Sequence, residues 1–353
     1  MIETQPQSQN ESGPAGLSVI LLTNRPLEAL RATLDGLFRA ADRFTDSRRE
    51  WGDGYRPLQE IFVVRHGPDS GKDEASGGHP LLRLASSPVS TKSGSRNWAA
   101  LNAKGAYLYF LDDDVTVPED FFNRWNGKVV QYPSLMVVGG PNLDPEENTP
   151  FQRSVGYILG SWWGAGRMSE RYRGLPDDRW VDDRSLILCN LCFHRDVFHR
   201  MGLRFHDQLF YNEENLLLQE LIARGVPLLH SPTLVVRHTR RGTWSGYGRQ
   251  IWHSGKGRGQ MTRYRPSTVR AVHLFPALFL LSLPLSFFMP AALKGPLALY
   301  AFLTAAHALV YGGRTGDWLG VLRVGVLTVG GHVVYGMGFL RGFIMGITDE
   351  GQP

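Results

Sequence analysis

Cysteine is scarce in this chain, which has two, Cys189 and Cys192, among 353 residues. Two cysteines cannot build the disulfide framework on which small secreted domains depend, so the fold must rest on a hydrophobic core. Their Cys-x-x-Cys spacing would need a second pair to complete a four-cysteine zinc site, and the sequence has none. Because both lie in an apolar, strand-like run, we interpret them as small buried residues in a reducing, cytosolic setting.

The first 15 residues lack the apolar core of a signal peptide and are rich in proline, glutamine and serine. We therefore predict a disordered tail over residues 1–16. Acidic residues are absent from residues 237–270, although this segment contains many arginines. Such a segment attracts nucleic acid, phosphate ligands or anionic lipid. Because it directly precedes an apolar third of the chain, we favour lipid headgroups and expect no nucleic-acid partner.

Long hydrophobic runs are missing from most of the chain but dominate it after Val272. Three stretches, 273–293, 295–313 and 318–347, approach or exceed the length of about 20 mainly apolar residues that crosses a bilayer. We predict a membrane domain over residues 269–348 with two to three helices, and we prefer three spans to two spans plus a surface helix. The basic segment would then hold the preceding domain at the cytosolic face of a bacterial inner membrane, as part of a multi-pass protein.

Between residues 17 and 268 the chain alternates strand-like and helix-like segments, the pattern of an α/β domain with a largely parallel sheet. The first unit is an apolar strand, Leu17–Thr23, followed by Pro26 and by leucines at helical spacing. The charged, glycine-containing residues 42–57 predict a loop. Residues 142–183 lack a clear period and predict a long irregular excursion, of the kind that often contacts substrate.

One strand of this domain, Tyr107–Leu111, ends abruptly in three carboxylates. Unpaired carboxylates are costly to bury, so Asp112, Asp113 and Asp114 must lie at the open carboxyl end of the strand, where α/β sheets bind ligands. Asp112 and Asp114 can point to the same side of an extended chain. Their oxygens suit a hard divalent cation that holds phosphates, although an acidic turn without a ligand has the same pattern.

A series of short motifs follows in order along residues 17–241. They are the strand Leu17–Thr23, Ser95-Arg96-Asn97, Phe110 to Asp114, Asn190 after a cysteine, and Asn212-Glu213-Glu214 before a leucine-rich helix. With these motifs the chain resembles family 2 glycosyltransferases of the GT-A fold, a Rossmann-like α/β fold of nucleotide-diphospho-sugar transferases. The apolar C-terminal third resembles the membrane anchor of bacterial members. The resemblance implies a GT-A catalytic domain over residues 17–268.

The resemblance also implies roles for individual residues. Asp112 and Asp114 match the DxD motif, which binds the nucleotide-sugar and a divalent cation, Mn²⁺ or Mg²⁺, and His238 matches a metal-contacting histidine. Glu213 and Glu214 match the acidic pair that contains the catalytic base, for which we prefer Glu214. Further residues match positions that face the donor or the acceptor: Thr23, Asn24, Arg25, Arg96, Asn97, Asn190, Arg240 and Arg241.

These residues predict sugar transfer with inversion. A metal ion would stabilise the charge on the leaving diphosphate, and a carboxylate would take the proton of the acceptor hydroxyl. Sugar and acceptor must also be aligned, and Trp162 and Trp163 are candidates for stacking on sugar faces. The expected partners are a nucleotide-diphosphate sugar donor, a glycan or lipid-linked acceptor of the cell envelope, and membrane lipids.

Two departures from the family pattern leave alternatives open. Arg65 and His66 stand where the family normally has an aspartate that grips the base, and no QxxRW motif is present, which disfavours a processive polymerase. The main alternative is a non-catalytic GT-A-like scaffold in a membrane assembly, and a weaker one is a nucleotidyltransferase. Single residues also have structural interpretations: the acidic pair as a helix cap, the tryptophans as core residues, and Arg240 and Arg241 as lipid-facing charges.

Overall fold

The computed structural model describes residues 16–67, 78–209, 211–286, 288, 290 and 294–347. Apart from Gly16, the tail predicted over residues 1–16 lies outside the described residues. The strands are, in chain order, β1 (Leu17–Thr23), β2 (Leu58–Arg65), β3 (Leu82–Ser86), β4 (Tyr107–Leu111), β5 (Val115–Thr116), β6 (Val137–Gly139), β7 (Asn142–Leu143), β8 (Arg179–Val181), β9 (Asn190–His194), β10 (Leu228–His230) and β11 (Val236–His238).

The α-helices are connected to these strands by loops and by short 3-10 turns. They are, in chain order, α1 (Arg31–Asp46), α2 (Arg48–Trp51), α3 (Lys92–Asn102), α4 (Phe121–Gln131), α5 (Pro150–Leu159), α6 (Trp162–Ala165), α7 (Glu170–Arg173), α8 (Asp196–His199), α9 (Glu213–Ala223), α10 (Trp244–Tyr264), α11 (Ala271–Leu285), α12 (Gly295–Thr315) and α13 (Trp318–Met345).

The central sheet has eight strands in the order β3-β2-β1-β4-β9-β6-β10-β8. Strand β1 pairs in parallel with β2 and β4, whereas β9 is antiparallel to β4 and β6. A smaller sheet has the order β5-β11-β7. The prediction of an α/β domain is confirmed, but the sheet is mixed rather than largely parallel, because β9 and β8 run antiparallel to their neighbours.

Strand β1 is buried on both faces, which explains its almost uninterrupted apolar sequence. Leu17, Val19 and Leu21 join the core on one face of the sheet, and Ile20 joins the core on the other. In the β1–β4 ladder Leu21 pairs with Leu111. The loop after β1 and the acids after β4 therefore leave the sheet at the same edge, and this edge carries the candidate site.

The sequence predicts two irregular segments, and both predictions are wrong. Residues 42–57 are partly helical, because Phe44 continues the buried face of α1 as far as Asp46, and α2 follows. Residues 142–183 contain α5, whose N-terminus has a capping box: the Thr149 hydroxyl accepts a hydrogen bond from the Gln152 backbone, and the Gln152 side chain accepts one from the Thr149 backbone.

The C-terminal third is helical. Helices α12 and α13 are each long and apolar enough to cross a membrane, whereas α11 is apolar but has only 15 residues. The number of spans stays a prediction. Helix α10, which the sequence did not predict, packs against α13. Five glycines lower its intrinsic helix propensity, and two of them, Gly255 and Gly259, allow close backbone contact with α13.

Candidate active site

A cleft of about 300 Å³ lies at the edge of the sheet where β1 and β4 end. Its walls come from the loop after β1, the acids after β4, the segment before β9, the start of α9, the residues after β11, and one face of α10. Most of the residues predicted from the sequence line it: Thr23, Asn24, Arg25, Arg96, Asp112, Asp114, Glu213, Glu214, His238, Arg240 and Arg241. The fold thus gathers distant segments around one cavity.

The three acids after β4 diverge. Asp113 turns toward the loop after β1, where the Thr23 hydroxyl donates a hydrogen bond to its carboxylate and Arg25 Nη1 lies 3.8 Å from its Oδ1. Burial is the main reason why the pKa of Asp113 is raised, and the charges of Asp114 and Asp112 add to it. Asp112 and Asp114 both lie near His238, so the two alternate acids face the same group.

The ladder between β5 and β11 positions His238 beside Asp114. His238 pairs with Val115, the residue after Asp114, and its Nε2 lies 2.9 Å from Asp114 Oδ1. Burial lowers the pKa of His238, but the adjacent carboxylate of Asp114 outweighs burial and raises it. In return, His238 overcomes the effect of burial on Asp114 and lowers the pKa of that carboxyl.

The residues around His238 form a candidate metal site. One ligand atom from each of Asp112, Cys189 and His238 lies within 4.8 Å of the other two. A carboxylate, a thiol and an imidazole together suit a divalent transition-metal ion better than Mg²⁺, which prefers oxygen ligands. Cys189 is free and buried, as predicted, but its place beside this cluster was missed because its strand-like surroundings are those of an ordinary core residue.

The acidic pair opens helix α9 at the cleft. Asn212, directly before it, has a left-handed backbone with φ of 65°, and its side chain donates a hydrogen bond to Ser254 of α10 at 3.0 Å. Glu213 accepts a charge-assisted hydrogen bond from Arg96 Nη1 at 2.5 Å. Burial raises the pKa of Glu213 to about 7, with Arg96 opposing and Glu214 reinforcing the shift.

Glu214 has a looser partner. Its Oε1 lies 3.6 Å from Nη1 of the buried Arg171. Arg171 is itself held by the backbone, because it donates hydrogen bonds to the carbonyls of Asp183, at 2.8 Å, and Arg184, at 2.7 Å. Among the described residues, none donates a hydrogen bond to the Glu214 carboxylate. Its oxygens therefore keep capacity to accept a hydrogen bond from a ligand.

The cleft is strongly basic elsewhere. Arg240 is buried and donates hydrogen bonds to Asp144, at 2.5 Å, and to the Asn142 side chain, at 3.1 Å, so the lipid-facing interpretation of Arg240 is wrong. Lys92 and His66 also line the cleft, although the sequence analysis gave neither a role. Burial, Lys92 and Arg96 lower the pKa of His66, which makes the neutral imidazole the favoured form.

Two predicted binding residues lie outside the cleft. Asn97 exchanges hydrogen bonds with the Phe205 backbone in both directions, at 2.9 and 2.8 Å. Asn190 accepts a hydrogen bond from the Tyr109 hydroxyl at 2.7 Å and donates to the carbonyls of Pro141, at 3.1 Å, and Leu234, at 2.6 Å. Both side-chain amides make their hydrogen bonds within the protein, so their contacts are those of structural residues rather than substrate-binding residues.

The two tryptophans proposed for sugar stacking also lie elsewhere. Trp162 is exposed and does not line the cleft. Trp163 donates a hydrogen bond from its Nε1 to Thr304 Oγ1 at 3.1 Å, and so joins α6 to α12. Among the described residues, the tyrosines that do line the cleft are Tyr172 and Tyr211. Tyr211 directly precedes the Asn212-Glu213-Glu214 motif, which was the one available signal for it.

The model of the family described as "Glycosyl transferase family 2" matches residues 19–198, more than half of the chain. The chain belongs to glycosyl transferase family 2. The family resemblance drawn from the motifs is therefore confirmed, and glycosyltransferase activity follows as the general class of this protein. The matched range contains the loop after β1, the acids after β4 and Cys189, and it ends before the acidic pair of α9.

Among solved structures, the glycosyltransferase is similar to a mannosyltransferase from Pyrobaculum calidifontis in complex with GDP-Man and Mn²⁺. The TM-score is 0.54 and the identity 15%, over 92% of this chain and 86% of that one. At this identity the likeness shows the fold alone. A mycobacterial protein matches at 13% identity over 70% of this chain and 74% of its own, but its TM-score of 0.41 carries no argument.

One curated relative, a succinyl-diaminopimelate desuccinylase from Erythrobacter litoralis (strain HTCC2594), is 29% identical over 114 residues. The match covers 30% of this glycosyltransferase and 30% of the relative. The chain therefore spans less than a third of that relative's length, and the name of the relative describes the relative alone.

Proposed function

We propose that this glycosyltransferase is an inverting enzyme that moves a sugar from a nucleotide-diphosphate donor to an acceptor hydroxyl. The observation that carries the proposal is the shared cleft, in which Asp112, Asp114 and His238 lie together with the pair Glu213 and Glu214 among several arginines. The mannosyltransferase of similar fold was solved with GDP-Man and Mn²⁺, which supports a nucleotide-sugar donor and a divalent cation here.

The donor diphosphate would bind beside the metal site and the arginines that line the cleft. Asp112 and His238, with Cys189 and Asp114 beside them, would hold a divalent ion, which would supply Lewis-acid stabilisation of the leaving diphosphate. Arg241 and Arg25 line the same cleft, and a guanidinium can bind two phosphate oxygens at once. These two arginines therefore orient the diphosphate and stabilise the charge that develops on it.

Glu214 is the proposed proton acceptor. Glu213 is engaged by Arg96 at 2.5 Å, whereas the nearest cation to Glu214 is Arg171 at 3.6 Å. The carboxylate of Glu214, held among the described residues only by this looser ion pair, can therefore accept the hydrogen bond of an acceptor hydroxyl and then its proton as the bond to the sugar forms. Glu213 keeps Arg96 in place beside the donor and acts as a positioning residue.

The acceptor is proposed to be a lipid-linked or cell-envelope glycan at the cytosolic face of a membrane. Support comes from α10, which lines the cleft through Gln250 and Ser254 and packs against the apolar helix α13. An acceptor with a lipid anchor would thus be presented close to the cleft. The cytosolic side is the one on which nucleotide-sugars are found.

Two substitutions test the assignment, Asp114→Asn and Glu214→Gln, with the exposed Glu119→Gln as the matched control. Purified variants are assayed for release of nucleoside diphosphate from a panel of nucleotide-sugars, and for metal-dependent nucleotide binding by calorimetry. Both site variants should lose at least about 100-fold in transfer while the control stays at the wild-type rate. Full transfer by either site variant would overturn the assigned role, and a wild type without metal-dependent binding would favour the scaffold alternative.

A further inference from the structure

Helix α13 is bound along most of its length to α10, and the two helices run in parallel. Near the start of the contact, the Tyr247 hydroxyl donates a hydrogen bond to the Leu327 carbonyl at 3.5 Å. Further along, a Cβ on Gly342 would lie 1.9 Å from the Lys256 carbonyl oxygen, so the two backbones touch. At the far end Arg263 donates a hydrogen bond to the Phe343 carbonyl at 3.2 Å.

Helix α10 is in turn bound along its length to the catalytic domain. At its start the Trp244 ring packs on Phe151 with 5.4 Å between centroids. In its middle the Ser254 carbonyl accepts the hydrogen bond of Asn212. Just beyond its end Arg265 lies 2.8 Å from Glu220 of α9. Helix α13 therefore runs along the body of the catalytic domain and does not project from it.

Helix α12 lies against the same body. The Tyr157 hydroxyl of α5 donates a hydrogen bond to the His307 carbonyl at 2.9 Å, and Trp163 of α6 reaches Thr304. The Ser154 hydroxyl of α5 lies 3.4 Å from the Tyr311 hydroxyl of α12. It also accepts a hydrogen bond from Arg323 of α13 at 2.8 Å. Both long apolar helices are thus attached to catalytic-domain helices at several points.

These attachments conflict with a spanning orientation. The 28 residues of α13 extend over about 42 Å, which exceeds the roughly 30 Å of the bilayer hydrocarbon. If α13 crossed the bilayer, α10 and the catalytic surface attached to it would enter the hydrocarbon as well. Arg249, Lys256 and Arg263 of α10 would enter with them, each at a cost of about 2.5–3.5 kcal/mol or more at the bilayer centre.

We propose that α11, α12 and α13 form a membrane-binding layer that lies flat in one leaflet of a membrane rather than crossing it. Their outward side exposes large apolar side chains, among them Leu278, Leu285, Phe302, Leu319 and Leu322, each more than 60% exposed. Single exposed apolar residues are ordinary on a protein surface, but many of them on neighbouring helices mark an interaction site. Helices that lie within one leaflet would bury these side chains among the acyl chains.

The charges on this membrane-binding layer identify the partner as a bilayer with anionic headgroups. Between residues 269 and 347 the sequence has a single acid, Asp317, and Arg323 of α13 already pairs with it at 2.5 Å. Four basic residues of this region are exposed near helix ends: Arg270, Lys294, Arg314 and Arg341. Anionic lipid headgroups complement this excess of positive charge, whereas a second copy of the same basic face would repel it.

The test uses two single cysteines, Lys294→Cys and Arg314→Cys, at opposite ends of α12. Twenty residues of helix separate them by about 30 Å, the thickness of the hydrocarbon. Sealed vesicles of both orientations, carrying the full chain, are treated with a membrane-impermeant maleimide. The two native cysteines are buried, and the wild type serves as the blank. If the membrane-binding layer lies flat, both sites should react from the side of the catalytic domain and neither should react from the other side.

Labelling of the two sites from opposite sides would show that α12 spans the bilayer and would overturn the proposal. Flotation with preformed liposomes is the second measurement. The purified chain should float with vesicles that contain anionic lipid, and Arg270→Glu combined with Arg314→Glu should weaken this binding. A chain that stays with the soluble fraction as a dimer would show that a second copy covers the face, and this too would overturn it. Neither readout requires sugar transfer, so failure here leaves the proposed transfer reaction untouched, although a soluble dimer would also remove the support for a membrane-bound acceptor.

Discussion

Glu213 should make the stability of the fold depend on pH, and Glu213→Gln should remove that dependence. In the folded protein burial raises the pKa of Glu213 from 4.5 to about 7, although Arg96 opposes the shift. A carboxyl with a higher pKa in the folded than in the unfolded state binds its proton more tightly when folded. Its contribution to stability is therefore complete below the unfolded pKa and is lost as the pH rises through the folded pKa.

The size of the effect follows from the shift. A rise from 4.5 to about 7 is two to three pKa units, and each unit corresponds to about 1.4 kcal/mol. The wild type should therefore lose on the order of 3 kcal/mol of unfolding free energy from this residue between about pH 5 and pH 8. Removing the opposing charge by Arg96→Met should raise the pKa of Glu213 further, which moves this loss to higher pH.

Unfolding by urea, followed by tryptophan fluorescence across that pH range, measures the effect. The wild-type midpoint should fall as the pH rises, and the Glu213→Gln midpoint should fall much less. Glu119→Gln, an exposed carboxylate, serves as the control and should follow the wild type. Parallel pH profiles for wild type and Glu213→Gln would refute the idea that burial holds a proton on this residue.

Two further substitutions test the packing around the site. Gly342→Val should lower the unfolding free energy by about 1–3 kcal/mol or more, because the new Cβ meets the Lys256 carbonyl. Gly330→Val is the control and should cost far less, because its Cβ would point into open space. Equal melting temperatures of the two variants would contradict the close contact. Asn190→Ala should lower the unfolding free energy by about 2–4 kcal/mol through unpaired buried groups, with the donor KM unchanged at low temperature; a large rise in KM in a stable variant would instead show direct contact with the donor.

Much of the fold is predictable because local signals agree with tertiary demands. Strands β1 and β4 are almost entirely apolar, and burial on both faces requires that composition. Helix α5 was missed although Thr149 and Gln152 carry a readable capping signal. Helix α10 could not be predicted in the same way, because its glycines disfavour a helix and tertiary contacts, above all those with α13, compensate for them.

The candidate site divides along similar lines. Asp112, Asp114 and the pair at the start of α9 were found because motif order along the chain carries information about the fold. Cys189 was missed as a neighbour of this cluster because only the packing of distant segments brings it there. Asn190 was given a binding role because it matches a family motif, and the sequence of a buried amide is the same whether it bonds to a ligand or to the backbone.

The glycines of α10 have a practical consequence for how this enzyme can be handled. The predicted end of the catalytic domain at residue 268 follows α10 closely, yet a chain cut there would keep α10 and lose the helix that covers it. Gly255 and Gly259 would then expose bare backbone to water, on the reverse side of the helix that supplies Gln250 and Ser254 to the cleft. Shortened forms made for solubility should therefore lose the shape of the cleft together with the lipid-facing helices, and crystallisation should start from the intact chain.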